Sequence, residues 1–169
     1  MSNQLIQEGL KYLTEIFKRP YPFHKVQIDI GKSSGMAEFH AYTQDRKLIK
    51  IDFTSRYTPN VYDLEFSVDH EYGKTGLGDQ FRIISTVLKA LKIILDKHKD
   101  DIRGIEFVVD KDYDLWPNDG NPYFTVNLSR ARLYERIINR FARREGFSSR
   151  KEDHDSGIEY FLTNKDFSK

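Results

Sequence analysis

"YGKTGLGDQF", residues 72–81, decides how this chain is read. Gly73, Gly76 and Gly78 fall within six positions, and a long amphipathic segment follows directly. Glycines before a helix let backbone N–H groups converge on an anion, and the helix dipole adds to their pull. The same residues also suit a plain strand-to-helix turn, with Asp79 as N-cap. Choosing between the two requires knowing what lies on either side.

Upstream lie four strand-like segments. Val26, Ile28 and Ile30 alternate with polar residues. Met36 to Ala41 follows the turn "GKSSG". Ile49, Ile51 and Phe53 follow "QDRK", and Tyr62, Leu64, Phe66 and Val68 follow "TPN". Period-2 alternation broken by short polar turns predicts an antiparallel meander with one buried face. Before it, residues 2–18 place Ile6, Leu10, Leu13 and Phe17 at helical spacing, and "RPYP" at 19–22 ends that helix.

Downstream, a helix over about 79–97 carries Phe81, Ile84, Leu88, Leu91 and Leu95 as its apolar stripe. The continuous run "IEFVVD" at 105–110 predicts a strand buried on both faces. Residues 111–126 form a polar, aromatic-rich insertion holding Trp116. A second helix over about 129–145, capped by Asn127 or Ser129, closes at Gly146, and a last strand covers 158–164. The predicted class is α/β (α+β): a single domain, 1–169, with a mixed, mostly antiparallel sheet flanked by helices in the order α-β-β-β-β-α-β-α-β. The crossover at 79–97 should make the strands at 61–68 and 105–109 parallel neighbours.

Composition narrows the chemistry. The 169 residues carry a net charge of +1, 31% charged and 14% aromatic side chains, as a soluble globular chain does. With no cysteine, disulfides, thiolate catalysis and thiolate-bound metals are excluded. There is no signal-peptide-like start and no apolar run of membrane-spanning length, so a cytoplasmic protein that avoids membranes is expected.

The order and two short motifs resemble the GNAT superfamily of N-acetyltransferases. That family's phosphate loop reads Gln/Arg-x-x-Gly-x-Gly/Ala; residues 73–78 match it at Gly76 and Gly78, with Gly73 in place of the Gln or Arg. "ARLYERIINRFARREGF" at 131–147 is similar to the family's Ala-x-x-Leu-Tyr-x-x-x-Gly-Phe helix, two turns longer. The chain also resembles small bacteriophage proteins with a "TGDxFR" loop–helix junction. The resemblance implies acetyl-CoA held by Gly73, Lys74, Gly76, Gly78 and Arg82, with Tyr134 as general acid for the leaving thiolate. Set against this, Gly73 lacks the expected side chain, and the Asp79 carboxylate caps a helix well but repels an anion. Tyr134 also reads as a helix aromatic beside Leu133 and Ile137.

Charge supplies the rival. Residues 127–151 hold Arg130, Arg132, Arg136, Arg140, Arg143, Arg144, Arg150 and Lys151 against Glu135 and Glu145, so the rest of the chain is net acidic. Arg132, Arg136 and Arg140 recur every fourth residue as one stripe, which suits either a solvated face or a polyanion. The insertion, with Asp110, Asp112, Asp114 and Asp119 around Trp116, suits a partner protein. Asp153, His154 and Asp155 are adjacent in a loop and lack a second histidine at ligand spacing, so no metal site is expected. The leading expectation is a non-catalytic, phage-encoded interaction protein that binds a host or viral macromolecule through Trp116, Arg132, Arg136 and Arg140. The alternative is an acyl-CoA-dependent N-acyltransferase acting on an amine, and after it nucleic-acid binding through the basic helix at 129–145.

Overall fold

The computed structural model describes residues 19–69, 71–72, 80–110, 124–155 and 157–167. The expected helix at 2–18, the glycine loop at 73–79 with its Asp79 cap, and residues 111–123 of the insertion lie outside the described residues.

Strands β1 (Phe23–Ile30), β2 (Gly35–Tyr42), β3 (Leu48–Ser55) and β4 (Val61–Val68) form the antiparallel meander, and β5 (Glu71–Tyr72) folds back on β4. Helix α1 (Gln80–His98) and a short 3-10 turn lead into β6 (Gly104–Asp110). Helix α2 (Phe124–Glu145) leads into the hairpin β7 (Phe147–Asp153) and β8 (Gly157–Asn164). All belong to one mixed, mostly antiparallel sheet in the order β1-β2-β3-β4-β6-β8-β7. Among the described residues no helix is long and apolar enough to cross a membrane.

Alternation explains the layering. Ala37, Phe39, Ala41, Ile49, Ile51, Phe53, Tyr62, Leu64, Ile105, Tyr160 and Leu162 share one face by register and are buried. They form one core with Ile83, Val87, Ala90, Leu91, Ile94 and Leu95 of α1 and Ile138, Phe141 and Ala142 of α2. Both helices therefore cover the same side of the sheet. The opposite side carries ion pairs: Lys25 and Lys50 with Glu38 across strands, Lys50 with Asp52 within β3, and Arg56, just past β3, with Asp63 and Glu106. Lys25 is the foremost cause holding the Glu38 carboxyl below its usual range.

The expected parallel seam exists but is short. Val61, Tyr62 and Asp63 pair with Gly104, Ile105 and Glu106, and no further residues of β4 and β6 pair. Since β3 occupies the other side of β4 along its length, β5, which pairs with Ser67 and Val68, lies on the β6 side. The seam thus opens into a wedge whose far end is taken by β5.

Two buried asparagines fasten the closed end. Asn60, at φ 64°, donates through Nδ2 to the Lys32 carbonyl at 2.6 Å and the Asp101 carbonyl at 2.8 Å. Its own carbonyl accepts from the N–H groups of Arg103 and Gly104. From the β8 end, Asn164 Nδ2 donates to the carbonyls of Lys99 and Ile102. Together they satisfy the turn between α1 and β6, where ladder hydrogen bonds are missing.

The sequence expectations need five corrections. Two strands, β5 and β7, were not foreseen; β7 ("FSSRKED") buries only Phe147, so no apolar period marks it, and pairing with β8 makes it a strand. Strand β6 is covered on one face only, leaving Val108 54% exposed. Helix α2 begins at Phe124, so Asn127 and Ser129 lie inside it and residues 124–126 leave the insertion. In α1 the buried face comprises Ile83, Val87, Ala90, Leu91, Ile94 and Leu95, so Leu91 and Leu95 of the expected stripe are buried while Ile84 and Leu88 lie at the margin. Strand β1 is an edge, and Val26 is exposed. Gly146 closes α2 as expected, at φ 82°, where a side chain would also meet Lys99 Nζ.

Candidate functional site

Helix α2 and the β7–β8 hairpin build the most distinctive surface. With Ile138, Phe141 and Ala142 turned to the core, helical geometry puts Arg136, Arg140 and Arg143, at i, i+4 and i+7, on the opposite side. All three are exposed. None has a carboxylate partner among the described residues; Arg143 Nε donates instead to the Asn139 carbonyl at 3.3 Å. Their neighbour Arg144 is different, since it pairs with Glu145 at 2.8 Å.

Beside this row lies a groove of about 260 Å³ between α2 and the hairpin. Its floor is aromatic, from the buried Phe147 and Tyr160. One wall holds a hydroxyl–amide pair, Ser149 Oγ donating to Asn139 Oδ1 at 2.6 Å. Arg143, Arg150, Lys151 and Lys165 bring positive charge, and among the described residues Glu135 brings the one carboxylate. Lys151 is held by Glu135 at 2.8 Å, and Arg150 turns to Glu152 and the Phe161 ring. Lys165 makes no ion pair with a described residue.

Tyr160 supplies a pH test of this packing. Burial pushes its phenol up from 10.0 to about 12, with Glu135 and Asp153 adding to the effect. The fold therefore favours the neutral phenol, and this contribution is complete below pH 10. It is lost as pH rises through the window from 10 to about 12. Tyr160→Phe is expected to flatten the alkaline limb of a stability–pH curve measured by urea unfolding. An unchanged limb would place the phenol in solvent.

The other expected residues fall as follows. Gly73, Lys74, Gly76, Gly78 and Trp116 lie outside the described residues. Arg132 and Tyr134 are in α2, and their side chains are likewise outside them. Arg82 is engaged within the fold: its guanidinium lies 3.8 Å from the Tyr21 ring centroid, and its Nε donates to the Arg19 carbonyl at 2.9 Å. Sequence reasoning missed Asn139, Ser149, Lys165 and the aromatic floor, because hairpin pairing brings them together over long separations. It also missed that register sets Glu152 opposite Glu159, with His154 Nε2 3.3 Å from Glu159 Oε2. These exposed and half-exposed groups pair with one another at the sheet edge.

A scan against protein-family models, a search of curated proteins and a search of solved structures each found no match for the chain.

Proposed function

We propose that this protein is a non-catalytic interaction protein that binds an anionic macromolecular partner along α2, on a domain resembling the acetyltransferases. The resemblance to small bacteriophage proteins makes a host or viral macromolecule the partner. One observation carries the reading: Arg136, Arg140 and Arg143 form an exposed row without carboxylate partners among the described residues, beside a concave groove. In a chain of net charge +1, such a row is a local field rather than a consequence of overall basicity.

A heparin column tests it. The Arg136→Glu, Arg140→Glu, Arg143→Glu triple variant should elute at clearly lower salt than the parent, with an unchanged circular dichroism spectrum. Equal elution sinks the reading.

The second reading is an acyl-CoA-dependent N-acyltransferase. What favours it is the wedge between β4 and β6, an opening at the parallel seam of the sheet. Two features weigh against it. The β4 edge at Ser67 and Val68 is already hydrogen-bonded by β5, and Arg82 is spent on Tyr21 and Arg19. A ligand at 100 times its dissociation constant raises stability by roughly 2.7 kcal/mol. No thermal shift is expected with millimolar acetyl-CoA, and a clear shift would restore the acyltransferase reading.

A further inference from the structure

We infer that the α2–β7 groove and its arginine row take single-stranded nucleic acid, the row holding successive phosphates and the groove receiving one nucleotide unit. This rests on the reading above and narrows its partner.

Three observations separate a nucleic-acid strand from an acidic protein surface. The first is linearity. Four helical residues rise about 6 Å, so Arg136 and Arg140 are fixed cations one short step apart on a straight line, and Arg143 continues it to the groove mouth. A chain with one charge per backbone unit fits such a line, whereas carboxylates on a folded surface are scattered. The second is shape. The groove of about 260 Å³ is smaller than the roughly 300–1,000 Å³ of pockets for drug-sized ligands, and suits a single sugar-phosphate or base. The third is its lining. The floor of Phe147 and Tyr160 is apolar, while the Ser149 hydroxyl and Asn139 amide, now bonded to each other, can both donate and accept. A cationic rim that tracks the backbone is one part of sequence-tolerant single-strand sites. Because Phe147 and Tyr160 are buried and offer no face for stacking, the strand is held here through its phosphates and sugars.

Glu135 sets the affinity. It is the carboxylate in the groove, and it occupies Lys151. Removing its charge frees a cation and takes away a repulsion, so one substitution at this site should tighten binding. General damage to the fold does not do that.

The probe is a fluorescein-labelled twenty-residue oligo-dT, followed by anisotropy against salt on the full chain. Single-strand binding falls with salt at a slope of about −0.7 per phosphate contacted, so three to four contacts give about −2 to −3. The Arg136→Ala, Arg140→Ala pair should weaken binding about tenfold at low salt and reduce the slope by about 1 or slightly more. Glu135→Gln should tighten binding several-fold, and Lys165→Ala should weaken it. Oligo-dT binding that ignores the arginine pair and Glu135→Gln overturns the assignment, since the strand then sits elsewhere. Polyglutamate bound as tightly as oligo-dT overturns it in favour of an acidic protein. Retention on heparin without oligo-dT binding defeats the nucleic-acid inference and leaves the interaction reading standing. Loss of both defeats both.

Discussion

Asn60→Ala is expected to destabilise the fold by about 2–5 kcal/mol. Each hydrogen bond lost contributes about 0.5–1.5 kcal/mol, and Asn60 makes two, to the part-buried carbonyls of Lys32 and Asp101. A left-handed backbone adds about 1–2 kcal/mol once the asparagine side chain no longer compensates. Asn60→Gly separates these contributions. It accepts the positive φ but restores no donor, so it should recover only the backbone part. Asn60→Asp should cost at least as much as alanine at neutral pH, because a carboxylate faces carbonyls without a proton to give. Urea unfolding of the three variants decides. An alanine variant within about 1 kcal/mol of the parent refutes the clamp at the β4–β6 seam.

Phe53→Ala should cost a similar amount, about 3–5 kcal/mol. Phe53 is 0% exposed in β3, opposite Leu64, and its ring stacks on Tyr62 at 4.6 Å between centroids. Truncation opens a cavity and removes the ring partner of Tyr62, whose buried hydroxyl already lacks a hydrogen-bond partner among the described residues. Nothing polar in the described core replaces the loss. For a chain of this size 1 kcal/mol moves Tm by about 2–4 °C, so a fall on the order of 10 °C follows. Calorimetry reads it directly. A fall of only a few degrees would mean that Tyr62 collapses into the space.

What the sequence displayed, and what it hid, follows from where each signal resides. Strands β2, β3 and β4 are legible because each alternates against one core and each ends in a short polar turn. Gly146 is legible because a local backbone rule requires it. The parallel β4–β6 contact follows from the intervening crossover helix. Strand β7 was illegible: its residues from Ser148 to Asp153 are exposed, and their extended state comes from β8. Ser85 and Thr86 disguised the buried face of α1. Thr86 is buried because its hydroxyl accepts from the Tyr21 N–H at 2.9 Å and donates to the Arg82 carbonyl at 2.7 Å, a pairing across sixty-five residues. Asn127 and Ser129 looked like caps but lie inside a helix. Of the candidate site, Arg136 and Arg140 could be read from spacing; Arg143 was not in the expected stripe, and the side chain of Arg132, which was, lies outside the described residues. The groove could not, because it joins α2 to residues that reach it only through the hairpin.

Covering one side of the sheet with both helices has an electrostatic consequence. On the side away from the two helices, register aligns Asp29, Glu38, Asp52, Asp63, Glu65, Glu106, Glu152 and Glu159, and among the described residues Lys25, Lys50, Arg56 and Arg150 answer them there. On the other side stands the arginine row, without carboxylate partners among the described residues. A nearly neutral molecule is thereby a dipole directed through the thickness of its own sheet. The field of any polyanion exerts a torque on such a dipole before contact, turning the arginines forward and the carboxylates away. Its near-zero net charge therefore coexists with a preferred heading of approach.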